Sequence, residues 1–107
     1  MSTQPEAVTA LDPLEVSPDV YSVLFENERV RLLDVRLKPG GVSPLHSHPA
    51  FIAYNLTDAR VRVTLANGET KEVDLKAGEA DWNEGETHAA ENIGETECHV
   101  LNFELKS

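Results

Sequence analysis

The feature that most constrains this chain is an alternation of apolar and polar residues, in short runs that turn-forming residues separate. In the run Val30–Leu37, aliphatic side chains occupy every second position from Leu33 onward, and charged residues fill the positions between them. Further runs of this kind cover residues 61–65, 73–75 and 99–105. Pro-Gly-Gly at 39–41 and Asn-Gly at 67–68 are turn signals. A period of two is typical of half-buried β-strands.

The pattern predicts an all-β domain. No segment carries the apolar stripe at i, i+3, i+4 and i+7 of a helix, and only a single helical turn is expected, near Ser17–Tyr21. Short strands divided by turns are typical of a sandwich or a barrel, and 107 residues suit one domain. We expect residues 1–12 to form a mobile arm or a strand exchanged with a second subunit, and residues 13–107 to form the β-barrel domain.

Charge and composition exclude several classes of partner. The chain carries 19 acidic and 9 basic residues, a formal charge of −10. Such a surface repels phosphate backbones and anionic membranes, so neither nucleic acid nor a membrane is an expected partner. The single cysteine, Cys98, cannot form an internal disulfide, and the first residues contain no apolar run of signal-peptide length. We therefore expect a cytoplasmic protein.

Three of the four histidines are spaced in a way that suits metal binding. His46 and His48 stand at i and i+2 of a predicted strand, so their side chains share a face, with Cα atoms about 7 Å apart. Pro44 and Pro49 bracket them, and since proline is confined to strand ends, edges and bulges, the pair is expected at the mouth of a barrel. His88 enters a later strand. Imidazole is the commonest metal ligand in proteins.

The glycines around these histidines resemble the two sequence motifs of the cupin superfamily. An isolated His-x-His pair is usually a solvated surface feature, so this glycine framework carries the argument. The first family motif is a glycine, five residues and His-x-His; the second is a glycine, then Pro-x-Gly, two residues, a histidine, three residues and an asparagine. The matching positions are Gly40, His46 and His48, then Gly78, Asn83 in place of the proline, Gly85, His88 and Asn92.

The resemblance, which covers residues 31–105, implies a fold, a ligand set and an assembly. Cupins fold as a double-stranded β-helix, a jelly-roll barrel also called RmlC-like, and small members are commonly homodimers. His46, His48 and His88 would hold one divalent ion of iron, zinc, nickel or manganese. Glu91-Asn92-Ile93-Gly94, with His-Ser-His-Pro at 46–49, is also similar to short cytoplasmic cupins associated with β-alanine degradation.

One position departs from the family motif. The glutamate that cupins carry after His-x-His would fall at Ala53, or at Ile52 in a shorter register, and neither side chain can coordinate an ion. Two interpretations stay open: metal binding has decayed and the barrel is a scaffold, or three neutral histidines form a working site. Three neutral ligands leave the 2+ charge uncompensated, which favours an anionic ligand such as a carboxylate or an enolate.

Other residues near the motifs have weaker claims to a role. Tyr54, Asn55 and Trp82 are the candidate substrate-binding residues, although ordinary barrel packing would explain them equally well. The arginines that could pair with a carboxylate substrate, or simply face solvent, are Arg36, Arg60 and Arg62. His99 is interpreted as a hydrogen-bonded structural histidine, and Cys98 has no nearby base in sequence and is not proposed as a nucleophile.

Three functions are compatible with these features. The first is a metal-dependent enzyme, a dioxygenase or a lyase or isomerase, that acts on a small carboxylate or carbonyl metabolite. The second is a non-catalytic module that binds or senses a small, anionic molecule, and the third is a structural remnant without metal. The sequence assigns no catalytic acid or base, and fold alone does not choose among cupin chemistries.

Overall fold

Two antiparallel β-sheets make up most of residues 12–106, the part of the chain that the structure, a computed structural model, describes. The strands are β1 (Tyr21–Glu26), β2 (Val30–Leu37), β3 (Val42–His48), β4 (Phe51–Asn55), β5 (Ala59–Leu65), β6 (Thr70–Leu75), β7 (Ala80–Asn83), β8 (Glu86–Asn92) and β9 (Cys98–Leu105). One sheet has the order β1-β2-β9-β4-β7 and the other the order β3-β8-β5-β6. The predicted all-β fold is confirmed.

A four-residue helix, α1 (Pro13–Val16), precedes β1. It begins where it does because the side chain of Asp12 accepts a hydrogen bond from the backbone N–H of Leu14 at 2.9 Å, and proline suits the first helical turn. The helical turn expected near Ser17–Tyr21 thus lies earlier in the chain. The arm predicted over residues 1–12 lies outside the described residues, apart from Asp12. No helix within residues 12–106 is long and apolar enough to cross a membrane.

The apolar core lies between the two sheets, and β2 shows how the alternation builds it. Leu33, Val35 and Leu37 are 0%, 8% and 5% exposed, whereas Asp34 and Arg36 point to the other side of the sheet. Ala59 and Val61 of β5, in the other sheet, and Cys98 and Val100 of the neighbouring strand β9 belong to the same cluster. The face predicted for β2 is therefore the inner one.

Strand β9 carries the opposite arrangement. Its inward side chains include Asn102 and Glu104, which are 6% and 2% exposed, while Phe103 between them is 37% exposed on the outer face. That outer face holds a row of large apolar side chains, one from each strand: Phe25, Leu32, Phe103, Ile52 and Trp82. The end nearest the histidines is therefore polar inside and apolar outside.

Candidate metal centre

The three histidines of the two motifs meet between the sheets. His46 and His48 lie on β3, and His88 lies on β8 directly opposite His46 in the strand register. One ligand atom from each ring lies within 4.8 Å of the others, and the ring centroids are 4.7 to 5.2 Å apart. The predicted cluster of these three side chains is therefore present, and within residues 12–106 it contains no carboxylate.

A local irregularity in β3 aims the first histidine. The register between β3 and β8 shifts between Ser43 and His46, and β3 is an edge strand, where proline is tolerated. The carbonyl oxygen of Pro44 accepts a hydrogen bond from Nδ1 of His46 at 2.7 Å. The prolines thus mark an edge strand with an irregularity, and the position of the pair at a barrel mouth stays a prediction, since His46 and His48 are 0% and 6% exposed.

Nδ1 of each histidine has a hydrogen-bond partner, so Nε2 is the nitrogen that would take an ion, at His46 in place of the Tyr21 hydroxyl. Nδ1 of His48 donates to Oε2 of Glu104 at 2.8 Å, and Nδ1 of His88 donates to Oε2 of Glu86 at 2.5 Å. With Pro44 serving His46, all three rings are held with the proton on Nδ1 and the lone pair on Nε2. Glu86 lies two residues before His88 in the sequence.

The charge state of the rings is also suited to binding a cation. Burial lowers the pKa of His46 to about 4, and the neighbouring rings of His48 and His88 lower it as well. Burial also lowers the pKa of His88, although the hydrogen bond with Glu86 opposes the shift. The lowered pKa values keep His46 and His88 neutral near pH 7, so each has a lone pair available to an ion.

Glu104, Arg31 and Asp12 form a support behind His48 that the sequence did not reveal. Oε1 of Glu104 lies 2.8 Å from a terminal nitrogen of Arg31, and a terminal nitrogen of the same guanidinium lies 3.0 Å from Asp12. Burial opposes the charge on Arg31, but the two carboxylates outweigh it and raise the pKa of Arg31. The guanidinium therefore compensates a carboxylate that is almost fully buried.

Tyr21 is a second residue that the sequence did not single out. Its hydroxyl lies 3.0 Å from Nε2 of His46, on the side of the ring where an ion would bind. Burial raises the pKa of Tyr21, so the phenol keeps its proton at neutral pH. The only sequence signal was its position at the start of β1, which is the same for many core tyrosines.

A cavity of about 150 Å³ adjoins the histidines. Its polar lining consists of Tyr21, Ser43, His48, His88 and Asn102. Its apolar lining consists of Val20, Val35, Leu37, Phe51, Val61, Leu75, Ala90, Cys98 and Val100. None of these lining residues is a lysine or an arginine. No lysine or arginine side chain therefore offers a positive charge to a ligand in this cavity.

The three candidate substrate-binding residues do not belong to this lining. Trp82 is 52% exposed and donates its indole N–H to Glu84 at 2.6 Å, and Tyr54 is 37% exposed on the outer face of β4. Asn55 is buried, but its side chain donates to the carbonyl oxygen of Lys76 at 3.2 Å and supports a turn. A contact of these residues with substrate stays a prediction.

The remaining candidates take structural positions. His99 pairs with Asp34 through Nε2 at 2.7 Å, so the hydrogen-bonded structural role expected for it is confirmed. Burial raises the pKa of Cys98 to about 11, which fits its exclusion as a nucleophile. The arginines named as possible substrate partners pair on the surface with acidic side chains: Arg36 with Asp34, Arg60 with Glu72 and Asp74, and Arg62 with Glu72 and Glu91.

One motif glycine holds the two histidine strands close together. Gly85 has a φ of +101°, and a Cβ there would lie 3.0 Å from the carbonyl oxygen of His48 and 3.0 Å from the carbonyl carbon of Pro49. Because both atoms belong to the backbone, a side chain at this position would displace the strand that carries His48.

Known structures decide the family to which this arrangement belongs. A cupin domain from Bordetella pertussis superposes with a TM-score of 0.76 at 26% identity, over 82% of this chain and 93% of that one. The chain belongs to the cupin superfamily. The double-stranded β-helix that the sequence motifs implied is thereby confirmed. No protein-family model matches the chain.

Two further similarities concern proteins named for one reaction. A predicted oxalate decarboxylase from Thermotoga maritima matches this cupin with a TM-score of 0.56 and 26% identity, over 79% of this chain and 78% of that one. A probable oxalate decarboxylase from Arthroderma benhamiae is 37% identical over 75 residues, 66% of this chain. Those residues are 18% of that protein, so this cupin matches less than a fifth of its length.

The donor set of this cupin fits a divalent ion. Three imidazoles with engaged Nδ1 atoms suit zinc, iron or nickel, and the buried Glu104 and Arg31 fix one of them in place. Ala53, where the family motif places a glutamate, offers no ligand and pairs in register with Asn102. The protein-derived ligand set of such an ion is accordingly three neutral nitrogens.

Proposed function

We propose that this cupin holds one divalent ion through His46, His48 and His88 and acts on a small carboxylate as a metal-dependent enzyme of the lyase type. The observation that carries the proposal is that one ligand nitrogen from each of the three rings lies within 4.8 Å of the others, while each Nδ1 has its own hydrogen-bond acceptor. When bound, the ion supplies Lewis acidity and positive charge. The two oxalate decarboxylase relatives favour a lyase over a dioxygenase.

The residues around the cavity define what the protein adds to the ion. The apolar lining excludes water from a ligand, which strengthens every electrostatic contact made there. The hydroxyl of Tyr21 donates to Nε2 of His46 in the structure, and once an ion takes that lone pair the hydroxyl is free to donate to an oxygen of the ligand. Because the lining contains no cationic side chain, recognition of an acid depends on the ion.

Metal content and identity are the first test. Tag-free protein is analysed by elemental mass spectrometry beside the double variant His46→Ala/His88→Ala, with His99→Ala as a matched control, since His99 lies outside the cluster. We expect near-stoichiometric metal in the wild type and in His99→Ala, and its loss in the double variant. Wild-type protein that refuses added iron, zinc, nickel and manganese would contradict the proposal and leave the scaffold interpretation.

Turnover is the second test. Protein loaded with manganese, iron or zinc is incubated with oxalate and with short 2-oxo acids, and carbon dioxide and dioxygen are followed together. Release of carbon dioxide without net consumption of dioxygen supports the lyase assignment, and release with stoichiometric consumption of dioxygen supports the dioxygenase alternative. Saturable binding without any product supports the non-catalytic binding module instead.

A further inference from the structure

Asn102 is a buried polar residue whose side chain has no hydrogen-bond partner within residues 12–106. It is 6% exposed and lines the cavity beside His48 and His88. Every fully enclosed polar side-chain atom of those residues has a partner, so the amide atoms of Asn102 are not enclosed but border the cavity. The amide is therefore free to bond a molecule in the cavity.

The position of Asn102 along β9 places it between the histidines and the apolar end of the cavity. Glu104 contacts His48, and Asn102 is the next inward residue, about 7 Å along the strand. Val100 and Cys98 follow on the same face and adjoin the apolar part of the core. The cavity therefore has an order: ligand nitrogens, one neutral amide, then aliphatic side chains.

The neighbouring strand leaves room at the amide. Asn102 pairs in register with Ala53 on β4, whose methyl group is the smallest side chain that could stand there apart from glycine. A cavity of about 150 Å³ is of the size that holds a benzene-sized molecule in another protein. A ligand in this cavity is accordingly restricted to a handful of carbon and oxygen atoms.

We propose that Asn102 is a ligand-binding residue and that the ligand is a short 2-oxo acid with a branched aliphatic tail. This inference rests on the proposed function, because the ion holds the carboxylate end. The amide N–H of Asn102 donates to the neutral carbonyl oxygen, and the tail packs against Val100 and its aliphatic neighbours. A second carboxylate at this depth would remain uncompensated, since the lining contains no lysine or arginine.

The test compares three probes on the zinc-loaded protein by titration calorimetry. The probes are 3-methyl-2-oxobutanoate, 3-methylbutanoate, which lacks the oxo group, and oxalate, which lacks the tail. The variants are Asn102→Ala and Asn102→Leu, with Leu101→Ala as the matched control, because Leu101 neighbours Asn102 on the same strand but lies on its outer face.

We expect 3-methyl-2-oxobutanoate to bind wild-type protein more tightly than either other probe. Loss of one hydrogen bond in Asn102→Ala should weaken it about tenfold and change the affinity for 3-methylbutanoate less than about twofold. Metal content should be unchanged in every variant, and Leu101→Ala should bind all three probes like the wild type. Without ligand, Asn102→Leu should melt close to the wild-type temperature, because the amide has no hydrogen-bond partner within residues 12–106 to lose.

The outcomes separate this inference from the proposed function. If the wild type binds metal but Asn102→Ala binds 3-methyl-2-oxobutanoate as the wild type does, the role of Asn102 is overturned and the metal centre stands. If oxalate binds more tightly than 3-methyl-2-oxobutanoate, the proposed aliphatic tail of the ligand is overturned. A melting temperature of Asn102→Leu well below that of the wild type makes the amide structural and overturns the proposal. Absence of metal and of ligand binding in the wild type overturns both proposals.

Discussion

Strands β2 and β9 lie side by side over their whole length, yet they use the same alternation in opposite ways. On β2 the inner side chains Leu33, Val35 and Leu37 are aliphatic, and Asp34 and Arg36 lie on the outer face. On β9 the inner side chains near the histidines are Asn102 and Glu104, and the outer ones include Phe103. The inner face of β2 from Leu33 onward thus belongs to the core, whereas β9 gives the half of its inner face nearest the histidines to the site.

The buried polar face of β9 persists because its charge is compensated. Glu104 accepts from His48 and from Arg31, so each carboxylate oxygen has a cationic or N–H partner. Arg31 belongs to β2, at the end where that strand stops contributing to the apolar core. The two strands therefore divide the task, with apolar packing at one end and an ion pair at the other.

Among the tests of this difference between β2 and β9, removal of the Glu104 carboxylate should have the largest effect. In Glu104→Ala, the buried Arg31 and His48 each lose a partner, and we expect a loss of about 3–5 kcal/mol in unfolding free energy. Metal affinity should fall about 10–100-fold, because His48 is no longer oriented. Chemical denaturation and competition with a chelator measure the two effects.

Glu104→Gln is the matched variant for that test. It keeps an oxygen that can accept from Nδ1 of His48, so most of the ring orientation and more of the metal affinity should survive than in Glu104→Ala. Equal losses of metal affinity in both variants would show that charge, rather than orientation, supports the centre.

A cavity on the inner face of β2 should have the next largest effect. Leu33→Ala removes a side chain that is 0% exposed, and we expect a loss of about 3 kcal/mol in denaturant unfolding. Metal affinity of the protein that remains folded should be unchanged, since Leu33 does not line the cavity at the histidines. A selective loss of metal would refute the division of roles between the two strands.

The outer face of β9 should respond more weakly. Phe103→Ala truncates a side chain that is 37% exposed, so we expect a loss of about 1–2 kcal/mol in the same assay. Its effect should be smaller than that of Leu33→Ala at every protein concentration. A larger effect that grows on dilution would instead show that this face is covered by another copy of the chain.

The smallest expected effect concerns the outer pair that joins the two strands, Asp34 and His99. Partial burial works to raise the pKa of Asp34, but hydrogen bonds from His99 and Arg36 outweigh it and lower that pKa. A lowered carboxyl pKa stabilises the fold above the ordinary pKa, and that stabilisation is lost as the pH falls through the folded value. Asp34→Asn should therefore cost about 1 kcal/mol at pH 6 and almost nothing near pH 2–3.

Denaturation at a series of pH values measures this dependence. Asp74→Asn is the control, because Asp74 is an exposed partner of Arg60 and surface pairs of this kind contribute little. If Asp34→Asn lowers the unfolding free energy by the same amount at every pH, the ionisation of Asp34 contributes nothing to stability.

Much of the fold and the three histidines of the site could be predicted from the sequence, because both depend on local residue spacing. Alternation and turn residues predict strands, and two glycine-framed motifs bring His46, His48 and His88 together. Alternation states which residues share a face and not which face is buried. Apolar content could not select the inner face of β9, whose outer side is the more apolar of the two.

The supporting residues could not be predicted for a second physical reason. Arg31 and Glu104 are 73 positions apart in sequence, and no motif connects them before the sheet pairs β2 with β9. Tyr21 reaches His46 from a different sheet in the same way. Trp82 and Tyr54 follow the motifs closely in sequence, but sequence proximity does not place a side chain in the cavity lining.

The forked contact of Arg31 gives this cupin an adjustment point outside its binding chamber. One guanidinium serves the buried Glu104 and the partly exposed Asp12, whose side chain is 26% exposed. Replacing Asp12 would change how strongly the arginine is held toward Glu104 and, through Glu104, the hydrogen bond to the His48 ring, and it would also remove the cap of α1. The setting of His48 can therefore be changed from a partly exposed residue while every side chain that lines the cavity is kept.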